Sequence, residues 1–356
     1  MLRSVRSSCH PLGAHRVVEP SGAMPQDAWR IDNTPVAHAN EILCDVDVLN
    51  IDSASFRQIA EACDFDAARI GEHVAATVCE RGKQHNPVTG SGGMFVGRVL
   101  EIGESLRDKI DLAVGDRIAS LVSLSLTPLR VEAIRDVDVA TGRVWVHAKA
   151  ILFESGIWAR LPEDIDENVA LAVLDVAGAP AQVPRLCSPG QTVVVIGAAG
   201  KSGLFSCAQA KRRVGPTGRV IGIVHDSTAP SAQLLEQAGF VDDLVEADAC
   251  RALETSRKVE AIAPQLADLA INCVNVPGTE LCSILCTRDG GTIYFFSMAT
   301  SFTAAALGAE GIGRDVTMII GNGYAKGHAD IALQTLRDHP QLLAYFNAKY
   351  TKGTTT

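Results

Sequence analysis

The chain has 356 residues, 47% hydrophobic and 21% charged, with a formal net charge of -9 at pH 7, enough apolar material for a large core and enough length for two domains. The negative balance excludes nucleic acid and anionic membrane as principal partners, because either needs a basic patch to neutralise phosphates, whereas a small cationic substrate suits it. No apolar run approaches the ~20 residues of a membrane helix, and ten cysteines scattered through apolar stretches read as reduced core thiols of a cytoplasmic protein.

Residues 1–20 carry Arg3, Arg6 and Arg16 without an apolar core for secretion, and read as a flexible arm. Beyond it, "EILCDVDVLNI", "GEHVAATVCE", "MFVGRVLEIG" and "DRIASLV" read as strands between Gly, Asp and Pro turns, with one short helical candidate, "FRQIAEAC". This pattern predicts a mostly antiparallel β domain. The hydroxyl-rich "SLVSLSLT" is unusual for a strand: Ser123 and Ser125 either line a polar cleft or face water on a sheet edge. The Ala-rich "LPEDIDENVALAVLDVAGAPAQVPRL" is helix-prone and leads into the second half.

From Gln191 onward, six short apolar runs alternate with helical spacing: "TVVVI", "RVIGIV", "DDLVEA", "LAINCV", "TIYFF" and "VTMII". Runs this apolar predict strands buried on both faces, in a doubly wound parallel six-stranded α/β sheet of Rossmann type. The expected domains are residues 1–173 (β-rich), 174–321 (nucleotide-binding) and 322–356, a segment returning toward the cleft.

"VVVIGAAGKSG", Val193 to Gly203, decides which nucleotide is bound. An ATP-type phosphate loop needs glycine where Val195 stands. A dinucleotide turn instead uses Gly197, Gly200 and Gly203, with Ala198 replacing glycine in the strict register. Gly200 lets backbone approach a pyrophosphate, the helix opening at Lys201 and Ser202 supplies N–H donors, and Gly203 allows helix to pack on strand. Lys201 either touches the phosphates or is solvated at the first turn. Asp226 ends the next strand about twenty positions on, where an acid bonds the adenosine ribose and repels a 2′-phosphate, so NAD is favoured over NADP. His225, beside it, competes for the ribose contact. Ser297 and Met298 end the fifth strand, where backbone meets the nicotinamide.

Together "GGMFVGRVLEIGESLRDKIDLAVGDRI", "VVVIGAAGKSG", "DLAINCVNVPGTE" and "RDGGTIYFFSMA" resemble the medium-chain dehydrogenase/reductase superfamily. That resemblance implies a GroES-like β-rich N-terminal catalytic domain, and a homodimer formed through the sheet edge. Gly93 and Met94 replace the zinc-ligating His-Glu step and no four-Cys cluster exists, so neither zinc site is expected. "SLVSLSLTPLR", "KAILFESGIWARLP", "LDVAGAPAQ", "YFFSMATSFTAAALGAEGIGRDV" and "MIIGNGYAKGH" narrow the resemblance to the L-erythro-3,5-diaminohexanoate dehydrogenase family. It implies NAD-dependent oxidative deamination of (3S,5S)-3,5-diaminohexanoate to 5-amino-3-oxohexanoate, with release of ammonia, in lysine fermentation. Two alternatives stay open: a zinc-free quinone or enoyl reductase, because "GAAGKSG" also resembles "GAAGGVG", and a non-catalytic NAD-binding protein.

Hydride leaves an amine-bearing carbon only when the amine is neutral, so a base is required. Asp175, in "LDVAGAP", lies where zinc-dependent relatives place a metal ligand; otherwise it is a helix residue bonded to backbone. Glu154, in "ILFESGI", is either a buried carboxylate with a raised pKa or a strand residue facing water. His328, Tyr324 and Lys326 share the Gly-rich loop "GNGYAKGH", where His328 is a candidate proton shuttle or a plain helix-start residue.

Overall fold

The computed structural model describes residues 9–86, 90 and 92–351 and divides the chain into two units, Met1–Leu161 and Pro162–Thr356. The first opens on a small antiparallel pair, β1 (Val17–Glu19) with β2 (Arg30–Ile31), followed by β3 (Glu41–Asn50), α1 (Ser53–Ala62) and α2 (Ala67–Arg81). Then come β4 (Met94–Ile102), β5 (Arg117–Ser120), β6 (Leu129–Asp138), β7 (Arg143–Phe153) and β8 (Trp158–Arg160). These strands form an antiparallel sheet ordered β6-β7-β3-β4-β5-β8. Alternate residues of β3 and β7, among them Ile42, Cys44, Val46, Val144, Val146 and Ala148, enter one apolar core.

Two sequence expectations fail in this unit, and with them the water-facing sheet-edge reading of "SLVSLSLT". "GEHVAATVCE" is α2, not a strand: Ile70, Val74 and Val78 recur every fourth residue and are buried, Asp66 caps the first turn by accepting from Arg69 N, and Gly82 ends the helix at φ 72°. Its β-branched composition disguised a helical period. Residues 9–20 are not a free arm, because Arg16 is 2% exposed and its guanidinium donates to both oxygens of Glu41, at 2.7 and 2.6 Å, and to the carbonyl of Val36 at 2.8 Å. Residues 1–8 lie outside the described residues. "SLVSLSLT" leaves the sheet after Ser120, and Ser123 and Ser125 share a 2.8 Å hydroxyl hydrogen bond in the turn that follows.

The second unit begins with α3 (Glu167–Leu174) and α4 (Gly178–Leu186), then alternates β9 (Thr192–Ile196), α5 (Lys201–Val214), β10 (Arg219–Val224), α6 (Pro230–Gln237), β11 (Asp243–Glu246), α7 (Ala252–Ile262), β12 (Ala267–Asn272), α8 (Glu280–Cys286), β13 (Thr287–Phe295), α9 (Phe302–Ile312) and β14 (Val316–Ile320). All six strands are parallel in the order β11-β10-β9-β12-β13-β14, the doubly wound arrangement expected. Val193 to Ile196 are fully buried because helices cover both sheet faces. The chain closes with α10 (His328–Asp338) and α11 (Pro340–Tyr350), which return to α5: Gln209 Nε2 donates to Thr335 Oγ1 at 2.7 Å, and Phe205 meets Phe346 edge-on at 5.4 Å. Among the described residues no single helix is long and apolar enough to cross a membrane.

Candidate active site

The turn after β9 is shaped by backbone. Ile223 O, on the neighbouring β10, accepts from both Gly197 N and Ala198 N at 3.0 Å, which fixes where the chain leaves the sheet. Gly197 has φ +79°, which glycine adopts without strain. A Cβ on Gly203 would stand 2.2 Å from Gly197 O, so the close approach of α5 to the turn requires glycine there. A Cβ on Gly200 would meet only Gly197 O, at 3.3 Å, and the space before the helix is open. Gly200 is the N-cap and brings no capping side chain, leaving the first-turn N–H groups to an outside acceptor. Open space, unmet donors and the positive end of α5 fit a pyrophosphate.

Lys201 and Asp175 meet here. Lys201 Nζ donates to Asp175 Oδ2 at 2.7 Å, joining the first residue of α5 to the residue that ends α3. Asp175 is therefore exposed and ion-paired, in place of the helix-interior residue bonded to backbone. Ser202 is buried and its hydroxyl turns to the Cys273 thiol, so only its backbone N–H is left for a ligand.

At the tip of β10, Asp226 accepts from Thr228 N at 2.8 Å and Thr228 Oγ1 at 2.6 Å, bonds that hold its carboxyl below the usual range. His225 beside it is exposed. Sequence reasoning missed Glu246, at the end of β11, which accepts from Ser227 N at 3.0 Å and steadies the same loop. Its signal was positional: an acid closing the strand next to β10. Past β13, Ser297 Oγ accepts from Ala299 N at 3.1 Å and Met298 is 80% exposed.

The loop between β14 and α10 packs on the break between α3 and α4: a Cβ on Gly178 would stand 2.6 Å from Asn322 O, and Arg185 donates to Lys326 O at 3.0 Å. Tyr324, half exposed, meets His328 edge-on at 5.2 Å. His328 is 4% exposed, and burial holds its imidazole below the usual range, so it is neutral at pH 7. The second unit thus gathers Asp175, Lys201 and the Tyr324–His328 loop around one helix break.

Of the two readings of Glu154, the buried carboxylate fails, and the residue faces water just past the strand's end. It follows β7 in an exposed turn, not buried, and takes Asn40 Nδ2 at 3.1 Å and Lys109 Nζ at 3.8 Å. The apolar residues preceding it belong to the strand; the carboxylate lies past its end. A second group that sequence reasoning missed is Lys83, which burial pushes down to about 8 and whose Nζ donates to the carbonyls of Pro25 at 2.7 Å and Gln26 at 3.0 Å.

A family profile described as the L-erythro-3,5-diaminohexanoate dehydrogenase N-terminal domain matches residues 15–162. The chain is 56% identical over 341 residues to L-erythro-3,5-diaminohexanoate dehydrogenase of Acetoanaerobium sticklandii, covering 95% of this chain and 98% of that protein. It is 52% identical over 339 residues to the same-named enzyme of Fusobacterium nucleatum, again covering 95% and 98%. Among solved structures, a mycobacterial quinone oxidoreductase aligns with a TM-score of 0.52 at 17% identity, covering 92% of this chain and 87% of that one. The CurK enoyl reductase aligns at 0.51, also with 17% identity, covering 89% and 79%. At that identity the structural likeness shows the fold alone.

Proposed function

The chain belongs to the L-erythro-3,5-diaminohexanoate dehydrogenase family, and from that premise we propose how its residues carry out the NAD-dependent oxidative deamination of 3,5-diaminohexanoate to 5-amino-3-oxohexanoate and ammonia. The turn from Gly197 to Gly203 would hold the pyrophosphate on the α5 N-terminus, Asp226 would take the adenosine ribose, and the backbone at Ser297 and Met298 would face the nicotinamide. The chemistry supplied by bound NAD would be that of the hydride acceptor for C3 of the substrate.

The Asp175–Lys201 pair at 2.7 Å carries the reading of the chemistry. Asp175 accepts a proton from the C3 ammonium so that hydride can leave the neutral amine, releases that proton to solvent, and then takes a proton from the water that attacks the iminium carbon and returns it to the nitrogen; ammonia leaves as the carbinol hydroxyl gives up its proton, and the ketone remains. Lys201 fixes the carboxylate's direction. Tyr324, next to the neutral His328, supplies a hydroxyl for the same water. Glu154, exposed and already engaged, has less support as the base.

The assembly that fits is a homodimer through the sheet edge. β14 is paired on one side only, and Phe302, Leu307, Ile312 and Ile320 are exposed on it and on adjoining α9. The deciding assay is NADH formation with 3,5-diaminohexanoate beside lysine, simple alcohols and quinones. Turnover of quinones with NADPH, and none of the diamino acid, would reject this reading.

A further inference from the structure

The geometry points to a transition-metal site in the N-terminal unit, formed by Cys9, His15 and His38 and of the class that Zn(II) fills; it is independent of the reaction proposed above. One ligand atom from each side chain, the Cys9 sulfur and a ring nitrogen of each histidine, lies within 4.8 Å of the other two. Atoms so spaced leave a point no more than about 2.8 Å from all three, and zinc binds sulfur at about 2.3 Å and imidazole nitrogen at about 2.0–2.1 Å, so shifts of roughly 0.5–0.8 Å close the set. The two imidazole centroids are 5.3 Å apart, with the ring planes at 83°. Two imidazoles on one tetrahedral ion have centroids roughly 5 Å apart, so the rings already stand at the spacing that a shared ion imposes.

The surrounding structure holds each ligand in place. Cys9 N donates to Asn40 Oδ1 and Asn40 Nδ2 donates to Cys9 O, both at 2.8 Å, so a side chain only 2% exposed fixes both main-chain groups of Cys9. His38 N donates to Glu41 Oε2 at 2.8 Å, and His15 Nε2 lies 2.8 Å from Glu41 Oε1. As a ligand through Nδ1, His15 would keep its Nε2–H on that carboxylate, the support that metal-bound imidazoles ordinarily have. Arg16 donates to both oxygens of Glu41. Those two charges offset one another, and the Cys9 thiolate supplies the negative charge that a dication needs.

The donor set selects the ion. One thiolate and two imidazoles suit zinc, whereas magnesium and calcium take oxygen ligands. On binding, the metal displaces the Cys9 thiol proton to solvent, both histidines coordinate as neutral imidazoles, and water takes the fourth tetrahedral position. These ligands belong to neither of the zinc sites missing from the sequence, the His-Glu step replaced by Gly93 and Met94 and the four-Cys cluster. A bound ion would clip residues 9–16 to the segment that leads into β3.

The test strips the full-length protein with a chelator and titrates it first with Co(II) and then with Zn(II). The wild type should bind one Co(II) with a thiolate charge-transfer band and tetrahedral d–d absorption, and one Zn(II) should displace it and raise Tm. Cys9→Ser should abolish the charge-transfer band. Cys9→Ser and His38→Ala should each melt like the stripped wild type, weaken Zn(II) binding at least about tenfold and lose the zinc-dependent rise in Tm. Cys79→Ser, which removes an exposed thiol outside the cluster, should leave all of these unchanged. A wild type that binds no stoichiometric metal, or binding that Cys9→Ser and His38→Ala leave intact, overturns the assignment. So does loss of binding in Cys79→Ser alone, which would put the ion on a surface thiol.

Discussion

Asp175 and Lys201 form an ion pair at 2.7 Å that joins the end of α3 to the opening turn of α5. Their side chains are 49% and 33% exposed, and pairs in that setting contribute about 0–1 kcal/mol after screening and lost side-chain entropy. Stability is thus a weak reason for the contact. A pair this accessible, beside unmet helix N–H groups, can exchange partners when charged ligands arrive.

Asp175→Asn should therefore leave thermal unfolding nearly unchanged while lowering kcat about a hundredfold. Part of the loss should return between about pH 7 and about pH 10, where more of the substrate amine is already neutral. Rate profiles for wild type and variant, with both substrates saturating, test this. An unchanged kcat across that range would reduce Asp175 to a counter-ion of Lys201 and move the search for the base to Tyr324.

Two glycines of the turn should separate folding from cofactor binding. Gly203→Ala places a methyl 2.2 Å from a backbone oxygen and should cost about 1–3 kcal/mol of stability, with loss of NAD binding. Gly200→Ala meets nothing closer than 3.3 Å, so the protein should melt normally, but the methyl enters the space proposed for the pyrophosphate and KM for NAD should rise about tenfold. Melting curves with and without NAD distinguish the two. Equal melting of both variants would mean that the turn is not packed as described.

The parts of the site legible in the sequence are those written locally. Val193 to Ile196 announce a strand because both faces are buried, and the glycines after it announce the turn, Gly197 through its positive φ and Gly203 through its close contact with the Gly197 carbonyl. Asp175 and Lys201 each stand out alone, but their pairing joins residues 26 apart through a helix packing that no spacing rule encodes. Arg16 was misread for the same reason, since its partner Glu41 lies 25 residues away. Glu154 failed differently: apolar neighbours on one side imply burial only if the strand continues, and β7 stops at Phe153.

Arg16 and Glu41 supply a test at acid pH. Burial alone would raise the Glu41 carboxyl, but hydrogen bonds from Arg16, His15 and the His38 amide outweigh it and hold the group below its usual 4.5. A depressed carboxyl stabilises the fold fully above its unfolded value, and the contribution is lost as pH falls through the folded one. Glu41→Gln leaves the Arg16 charge buried without its partner and should cost about 3–5 kcal/mol near neutrality. Denaturant unfolding should show the wild-type and variant curves converging below about pH 4. Curves that remain parallel into acid would show that Glu41 contributes by packing instead of charge.

Cofactor choice is the last consequence of the geometry. Thr228 holds the Asp226 carboxyl below its usual range, so the group is ionised from mildly acid to alkaline pH and the preference for NAD should be flat there. A 2′-phosphate at that position meets a fixed negative charge, with the Glu246 carboxylate holding the neighbouring Ser227. Asp226→Asn keeps the size and removes the charge. It should lower the ratio of kcat/KM for NAD to kcat/KM for NADP by about tenfold or more, through a gain with NADP together with a loss with NAD. His225→Ala should change the ratio much less, because an exposed imidazole adjoining the acid offers no comparable repulsion. If the two substitutions exchange these effects, His225 is the residue that meets the ribose; if neither moves the ratio, discrimination belongs to Glu246, and Glu246→Gln becomes the variant that relaxes it.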